Sequence, residues 1–158
     1  MNTRKRKITY LKDISDIEQI INKCKICHIA MVDNNKPYLL PFNFGYKNGI
    51  IYLHSDPIGK KIDILKKNPN VCINFNTDNE LFHINKEIAC SYGMRYKSVI
   101  INGAVEFIED DKDKIEAFSI FMKNYVNNEN FKYSKPSIEN VCVFKIKVEN
   151  FTGKTYGY

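Results

Sequence analysis

Residues 54–67 read HSDPIGKKIDILKK, and four of them carry the groups needed to hold an anion. His54 lies where the apolar run Ile50–Leu53 gives way to a turn, Ser55 adds a hydroxyl, and Lys60 and Lys61 open a helix that starts at about Gly59. Lysines in a first turn oppose the helix dipole by about a few tenths of a kcal/mol. A dianionic phosphate held between them and the free N–H groups reverses that sign, because charge-assisted hydrogen bonds are among the stronger polar contacts. A solvated lysine face on a surface helix accounts for the same pair without a ligand. The segment is not a P-loop, since the glycine spacing differs and no Ser or Thr follows the lysines. Histidine titrates near neutral pH, so His54 has the chemistry of a proton donor; a strand-end histidine that only hydrogen-bonds is the alternative.

A second stretch, CKICH at residues 24–28, spells the c-type haem attachment pattern and puts Cys24 and Cys27 at redox or zinc half-site spacing. Each reading lacks a part. That haem chemistry follows export, and no apolar signal core follows the basic start MNTRKRKITY. Tetrahedral zinc needs a second ligand pair, whereas Cys72, Cys90 and Cys142 are isolated. A thioredoxin-like pair opens a helix, and this one closes one. The expectation is therefore a helix end running into a buried strand, with the thiols as small core groups. Five cysteines, an odd number, also argue against a disulfide framework.

The elements that must position these residues follow from periodicity. Ser15 with Glu18 has the form of a capping box, and Ile17, Ile20, Ile21 and Cys24 keep helical spacing. CHIAMV (27–32), PYLLPFNFGY (37–46) and IIYLH (50–54), separated by the turns DNNK and KNG, read as an antiparallel meander. The short helix ends at KNPN, and VCINFN (71–76) is the next strand, with ELFHI (80–84) a further one. RYKSVIINGAVEFIED (95–110) is the longest strand, where Gly103 marks a bulge or a close backbone approach. A helix over 111–126 presents Ile115, Phe118, Met122 and Tyr125, and VCVFKIKVENFTGK (141–154) is the last strand. Six or more antiparallel strands with few helices predict a small closed or partly open barrel.

Nothing breaks this pattern into parts, so residues 1–158 are expected to form a single domain. Hydrophobic residues at 44% and charged residues at 27% suit a water-soluble globule, and no run reaches the roughly 20 apolar residues of a membrane helix. A cytoplasmic location is the corresponding expectation. The net charge of +6 admits nucleic acid as a partner, but only RKRK (4–7) is a basic run and no strand carries a contiguous basic and aromatic face. Nucleic-acid binding is disfavoured on that ground.

Three stretches in order, CHIAMVDNNKPYLLPFNFGY, IYLHSDPIGKKIDILKKNPNVCINF and MRYKSVIINGAVEFIED, carry a family resemblance, and the C-terminal VCVFKIKVENFTGK fits it. The sequence resembles the pyridoxamine 5'-phosphate oxidase-like superfamily of FMN-binding split barrels, and within it the nitroimidazole-reductase type. The resemblance implies a mainly β, α+β fold: an antiparallel split β-barrel with a few flanking helices. It implies a homodimer with FMN at the interface, each site built from both chains. Pro41, Phe42, Asn43 and Phe44 would run along the flavin, and His54, Ser55, Lys60 and Lys61 match the phosphate side. Tyr96, Ser98 and Val99 match positions that approach the flavin from the partner. His54 is the implied catalytic residue, beside the isoalloxazine.

The implied activity is an FMN-dependent oxidoreductase acting on a small molecule, a nitroaromatic compound such as a 5-nitroimidazole, with no metal. Phe42, Phe44, Tyr92 and Tyr96 are candidates for an apolar substrate slot. Pyridoxamine phosphate itself does not fit, because an arginine-rich C-terminal clamp is missing from a chain whose arginines are Arg4, Arg6 and Arg95. A flavin- or haem-binding split barrel with no nitro substrate is the alternative.

Overall fold

The computed structural model describes residues 7–126 and 131–158; the basic residues 4–6 of RKRK lie outside them. In chain order the elements are β1 (Ile8–Leu11), α1 (Ile14–Lys23), β2 (Cys27–Asp33), β3 (Lys36–Phe42), β4 (Gly45–Lys47), β5 (Ile50–Ser55) and α2 (Lys60–Lys67). There follow β6 (Asn70–Phe82), a 3-10 turn (Ala89–Ser91), β7 (Gly93–Ile108), α3 (Asp111–Lys123), α4 (Lys135–Glu139), β8 (Cys142–Lys147) and β9 (Asn150–Tyr156). The strands join antiparallel in the order β3-β2-β6-β7-β8-β5-β4, and β9 pairs with β1 and β7. β7 is the shared spine. Its outer portion pairs with β9 from Tyr96↔Tyr156 to Asn102↔Asn150, and its end pairs with β8 from Val105↔Ile146 to Ile108↔Val143. The path is not closed, which is the split barrel that the sequence predicts.

Alternation along the strands fills the interior. Cys27, Ile29 and Met31 of β2, Val71, Ile73 and Phe75 of β6, Val99 and Ile101 of β7, and Phe144 and Ile146 of β8 join one core. Helix α1 adds Ile17, Ile20 and Ile21, and α2 adds Ile62, Ile64 and Leu65, so both helices act as plugs. Burying each such side chain is worth about 1.5–3 kcal/mol. Helix α3 lies outside, where Ala117 meets Ile108 and Val143 in a smaller cluster.

Several expectations are corrected. Asp13, not Ser15, is the N-cap of α1, without a side-chain bond, and Glu18 instead accepts from the Tyr46 hydroxyl at 2.8 Å. The run 37–46 is two strands, because Asn43 and Phe44 leave the ladder. The meander therefore splits into β2–β3 and β4–β5 hairpins at opposite ends of the strand order. Helix α3 buries Lys114, Ala117 and Ile120 rather than the stripe begun by Ile115, which is 38% exposed. Two adjacent apolar stripes fit the helical period there, and the approach of Gly45 to the Ile120–Phe121 backbone selects between them. The register shift lies at Thr77/Glu80 of β6; at Gly103 the missing side chain makes room for Ile146.

Candidate functional site

The end of β5 and the start of α2 meet the end of β3. Strand alternation points His54 and Ser55 to opposite faces. Ser55 is buried on the barrel side, and its Oγ donates to the Asp56 carbonyl at 2.8 Å. His54 faces α3, with its ring 4.5 Å from that of Phe121 and 5.1 Å from that of Phe118. Its Nδ1 is buried with no hydrogen-bond partner. The gap beside it, lined by Tyr52, Phe118, Phe121 and Val143, is too small for a water molecule. Burial, then the charge of Lys61, pushes the imidazole pKa down, against a smaller upward pull from Asp56. At neutral pH His54 is thus uncharged.

Gly59 caps α2 with φ 129°, a conformation that side chains disfavour, and offers no capping side chain. The first N–H groups bonded within this turn are those of Ile62 and Asp63, both to the Gly59 carbonyl. The N–H groups of Lys60 and Lys61 precede them and have no intrahelical acceptor. The two lysines differ. Lys60 is ion-paired to Asp33 at 3.1 Å and lies over the Tyr38 ring. Lys61 lies over the Phe42 ring at 5.6 Å, with no carboxylate partner among the described residues. An unneutralised ammonium beside uncapped N–H groups is a donor set that suits a phosphate.

Of the other expected residues, Pro41 is exposed at the end of β3 and Asn43 is exposed in the β3–β4 link, its side chain without a hydrogen bond among the described residues. Phe42 and Phe44 turn into the core, against Phe144 and Phe75 respectively, so neither presents its ring face outward, and the Phe44 backbone is buried as well. Val99 is fully buried, between its ladder partners Phe75 and Gly153. Tyr96 stacks on Tyr156 at 5.5 Å under Lys154, and Ser98 shares that outer face of β7. No hydrogen bond, ion pair or ring contact joins Tyr96, Ser98 or Val99 to the His54–Lys61 group. Asp33, Tyr38, Phe118, Phe121, Asn124 and Tyr125 complete the surroundings. Sequence spacing hinted only at Phe118 and Tyr125, since the rest need the tertiary fold.

Cys24 and Cys27 are buried, and burial pushes the Cys27 thiol up to about 12. No metal-binding cluster exists among the described residues. None of the helices described is long and apolar enough to cross a membrane.

The sequence model of the family described as pyridoxamine 5'-phosphate oxidase matches residues 13–155. The chain belongs to that family. A candidate 5-nitroimidazole antibiotic resistance protein from Bacteroides thetaiotaomicron is 40% identical, with 97% of this chain and 90% of that chain covered and a TM-score of 0.85. The flavocytochrome Anf3 of Azotobacter vinelandii shares the fold at 19% identity, covering 92% and 68% of the two chains with a TM-score of 0.81. An FAD and haem binding protein of Mycobacterium smegmatis does so at 12% identity, covering 94% and 74% with a TM-score of 0.85. None of the curated proteins matches this chain.

Proposed function

We propose that this family member is an FMN-dependent oxidoreductase of the cytoplasm that reduces nitroaromatic compounds such as 5-nitroimidazoles. The observation that carries the reading is the unneutralised Lys61 at the uncapped start of α2, beside an uncharged His54. The 40% identity to a protein named for 5-nitroimidazole resistance supplies the substrate class. In this reading Lys61 and the N–H groups of Lys60 and Lys61 hold the phosphate. Asn43 and the backbone of the β3–β4 link meet the ring edge. Bound flavin supplies the redox chemistry, and the protein orients substrate and ring. His54 meets the substrate uncharged at neutral pH, as a hydrogen-bonding group, and becomes a proton donor as acidification charges it.

The same reading makes the protein a homodimer. Within one chain the Tyr96–Ser98 face stands apart from the His54–Lys61 group, so a site using both takes them from two copies. The outer face of β3, β2, β6 and β7 supports this. It leaves Leu39, Val32 and Ile100 exposed at 60%, 47% and 41%. It also carries an open groove of about 590 Å³ lined by Ala30, Val32, Pro37, Cys72 and Ala104.

The test is a visible spectrum of purified protein, with mass spectrometry of what heat releases and nitro-reduction assays on the loaded form. A yellow protein that yields about one FMN per chain and reduces a 5-nitroimidazole supports the proposal. A protein that stays colourless after FMN is added refutes it.

A further inference from the structure

The C-terminal end of α3 holds the one stretch of the β3–β4 link that no strand supports. β3 ends at Phe42 and β4 begins at Gly45, so the Phe44 peptide has no ladder partner. Its N–H donates instead to the Tyr125 hydroxyl at 2.9 Å, and its carbonyl accepts from Asn124 Nδ2 at 3.0 Å. The Tyr125 hydroxyl has one proton. At 2.7 Å the Lys25 carbonyl is its nearest acceptor, nearer than the Phe44 carbonyl at 3.2 Å. One phenol therefore ties the β3–β4 link to the α1–β2 turn, and Lys25 returns the contact through its ammonium, to the Asn124 carbonyl and over the Tyr125 ring.

The anchoring is rigid on a second count. A Cβ on Gly45 would lie 2.7 Å from the backbone of Phe121, so helix and link touch main chain to main chain. The helix that fixes Phe44 is also the helix whose Phe118 and Phe121 close over His54. Meanwhile Asn43, one residue before the clamped peptide, is exposed, its amide without a hydrogen bond among the described residues. A clamped peptide next to an exposed amide is the arrangement that presents a polar edge to a ligand at low ordering cost.

We propose that Tyr125 is a positioning residue of the flavin site: through the Phe44 peptide it sets where Asn43 and the link backbone meet the ring edge. This rests on the flavin reading above. Tyr125→Phe removes the hydroxyl and orphans the Phe44 N–H while keeping the ring. The expected result is FMN affinity at least tenfold weaker by titration, together with a changed visible circular dichroism of the bound flavin.

Tyr158→Phe is the control, because it loses a comparable tyrosine bond, to the Asp78 carbonyl, away from the link. Its FMN affinity stays within about twofold of the parent, as expected when a bond outside the contact surface is lost. Tyr125→Phe with lowered thermal stability but unaltered affinity and flavin dichroism overturns the inference. Should that variant fail to fold, Asn124→Ala removes only the bond to the Phe44 carbonyl. The same dichroic change upholds the proposal, and an unaltered signal refutes it. Parent protein that takes up no FMN refutes the flavin reading itself, and the inference with it.

Discussion

Replacing His54 by Phe should make the ligand-free protein more stable and less active. The imidazole lies between Phe118 and Phe121 with Nδ1 buried, unbonded and beyond the reach of water. A buried polar atom left unsatisfied costs about 1–3 kcal/mol. Phenylalanine occupies nearly the same outline and removes that atom, so a gain of about 1 kcal/mol is expected, or about 2–4 °C in Tm for a domain of this size. The pH dependence gives a sharper signature. Burial and Lys61 lower the imidazole pKa in the fold from its ordinary 6.5. Below about pH 6.5 the unfolded chain therefore binds a proton that the folded chain refuses, and stability falls with pH until the folded pKa is passed. The variant lacks this loss, while every other titrating group is common to both proteins. Thermal unfolding followed by circular dichroism from pH 8 to pH 5 should show the gap opening in the variant's favour below pH 6.5. A gap that is constant, or that closes on acidification, refutes the argument, and so does a variant less stable at pH 8.

The two lysines should separate. Lys61→Ala is expected to weaken FMN binding by about 10- to 100-fold, the worth of a charged hydrogen bond, while Lys60→Ala, already paired with Asp33, changes it less than about threefold; the opposite ranking in a fluorescence titration defeats the assignment. Gly45→Ala forces a methyl into the Phe121 backbone, so a loss of about 3 kcal/mol is expected in chemical denaturation, and a loss under about 1 kcal/mol contradicts the contact. Ile100→Asp places a charge on the exposed outer face of β7 and should convert a two-chain particle to one chain in sedimentation velocity; parent protein already sedimenting as one chain removes the dimer reading.

What the sequence revealed was local. The Asn34–Asn35 and Asn48–Gly49 turns take positive φ as their residue types demand, and α2 starts after Gly59 as its lysines suggested. The strands appear because alternating Ile, Val and Phe residues have only one face to bury. The misreadings fall where long-range packing decides. No local signal separates Asn43 and Phe44 from the strand on either side, since the break is made by α3, about 80 residues later. Lys60 and Lys61 are equivalent in a sequence; only the fold brings Asp33 to one and leaves the other without a carboxylate partner among the described residues. The buried stripe of α3 was ambiguous for a similar reason, and so were β1 and α4, which periodicity did not single out.

Lys61 stands between the two chemistries proposed for the site, and that coupling has a sign. Its ammonium is the second cause, after burial, of the lowered pKa of His54. A phosphate dianion at the start of α2 would cancel that field, because a negative group near a cation favours the protonated imidazole. Anion binding should therefore move the His54 pKa upward, toward its ordinary 6.5, while burial keeps part of the depression. Imidazole NMR titrations with and without inorganic phosphate, repeated with FMN, read this directly. An upward shift with both ligands, lost in Lys61→Ala, is the expected outcome. Ligands that bind and leave the His54 titration where it was would show that anion and imidazole do not share a field. If the shift is present, occupancy of the anion site itself prepares the proton donor: the ligand-free protein keeps His54 uncharged, and the loaded protein lets it gain a proton nearer neutral pH. The acid-side stability gap between parent and His54→Phe should then narrow on loading, since the folded state no longer excludes that proton as strongly.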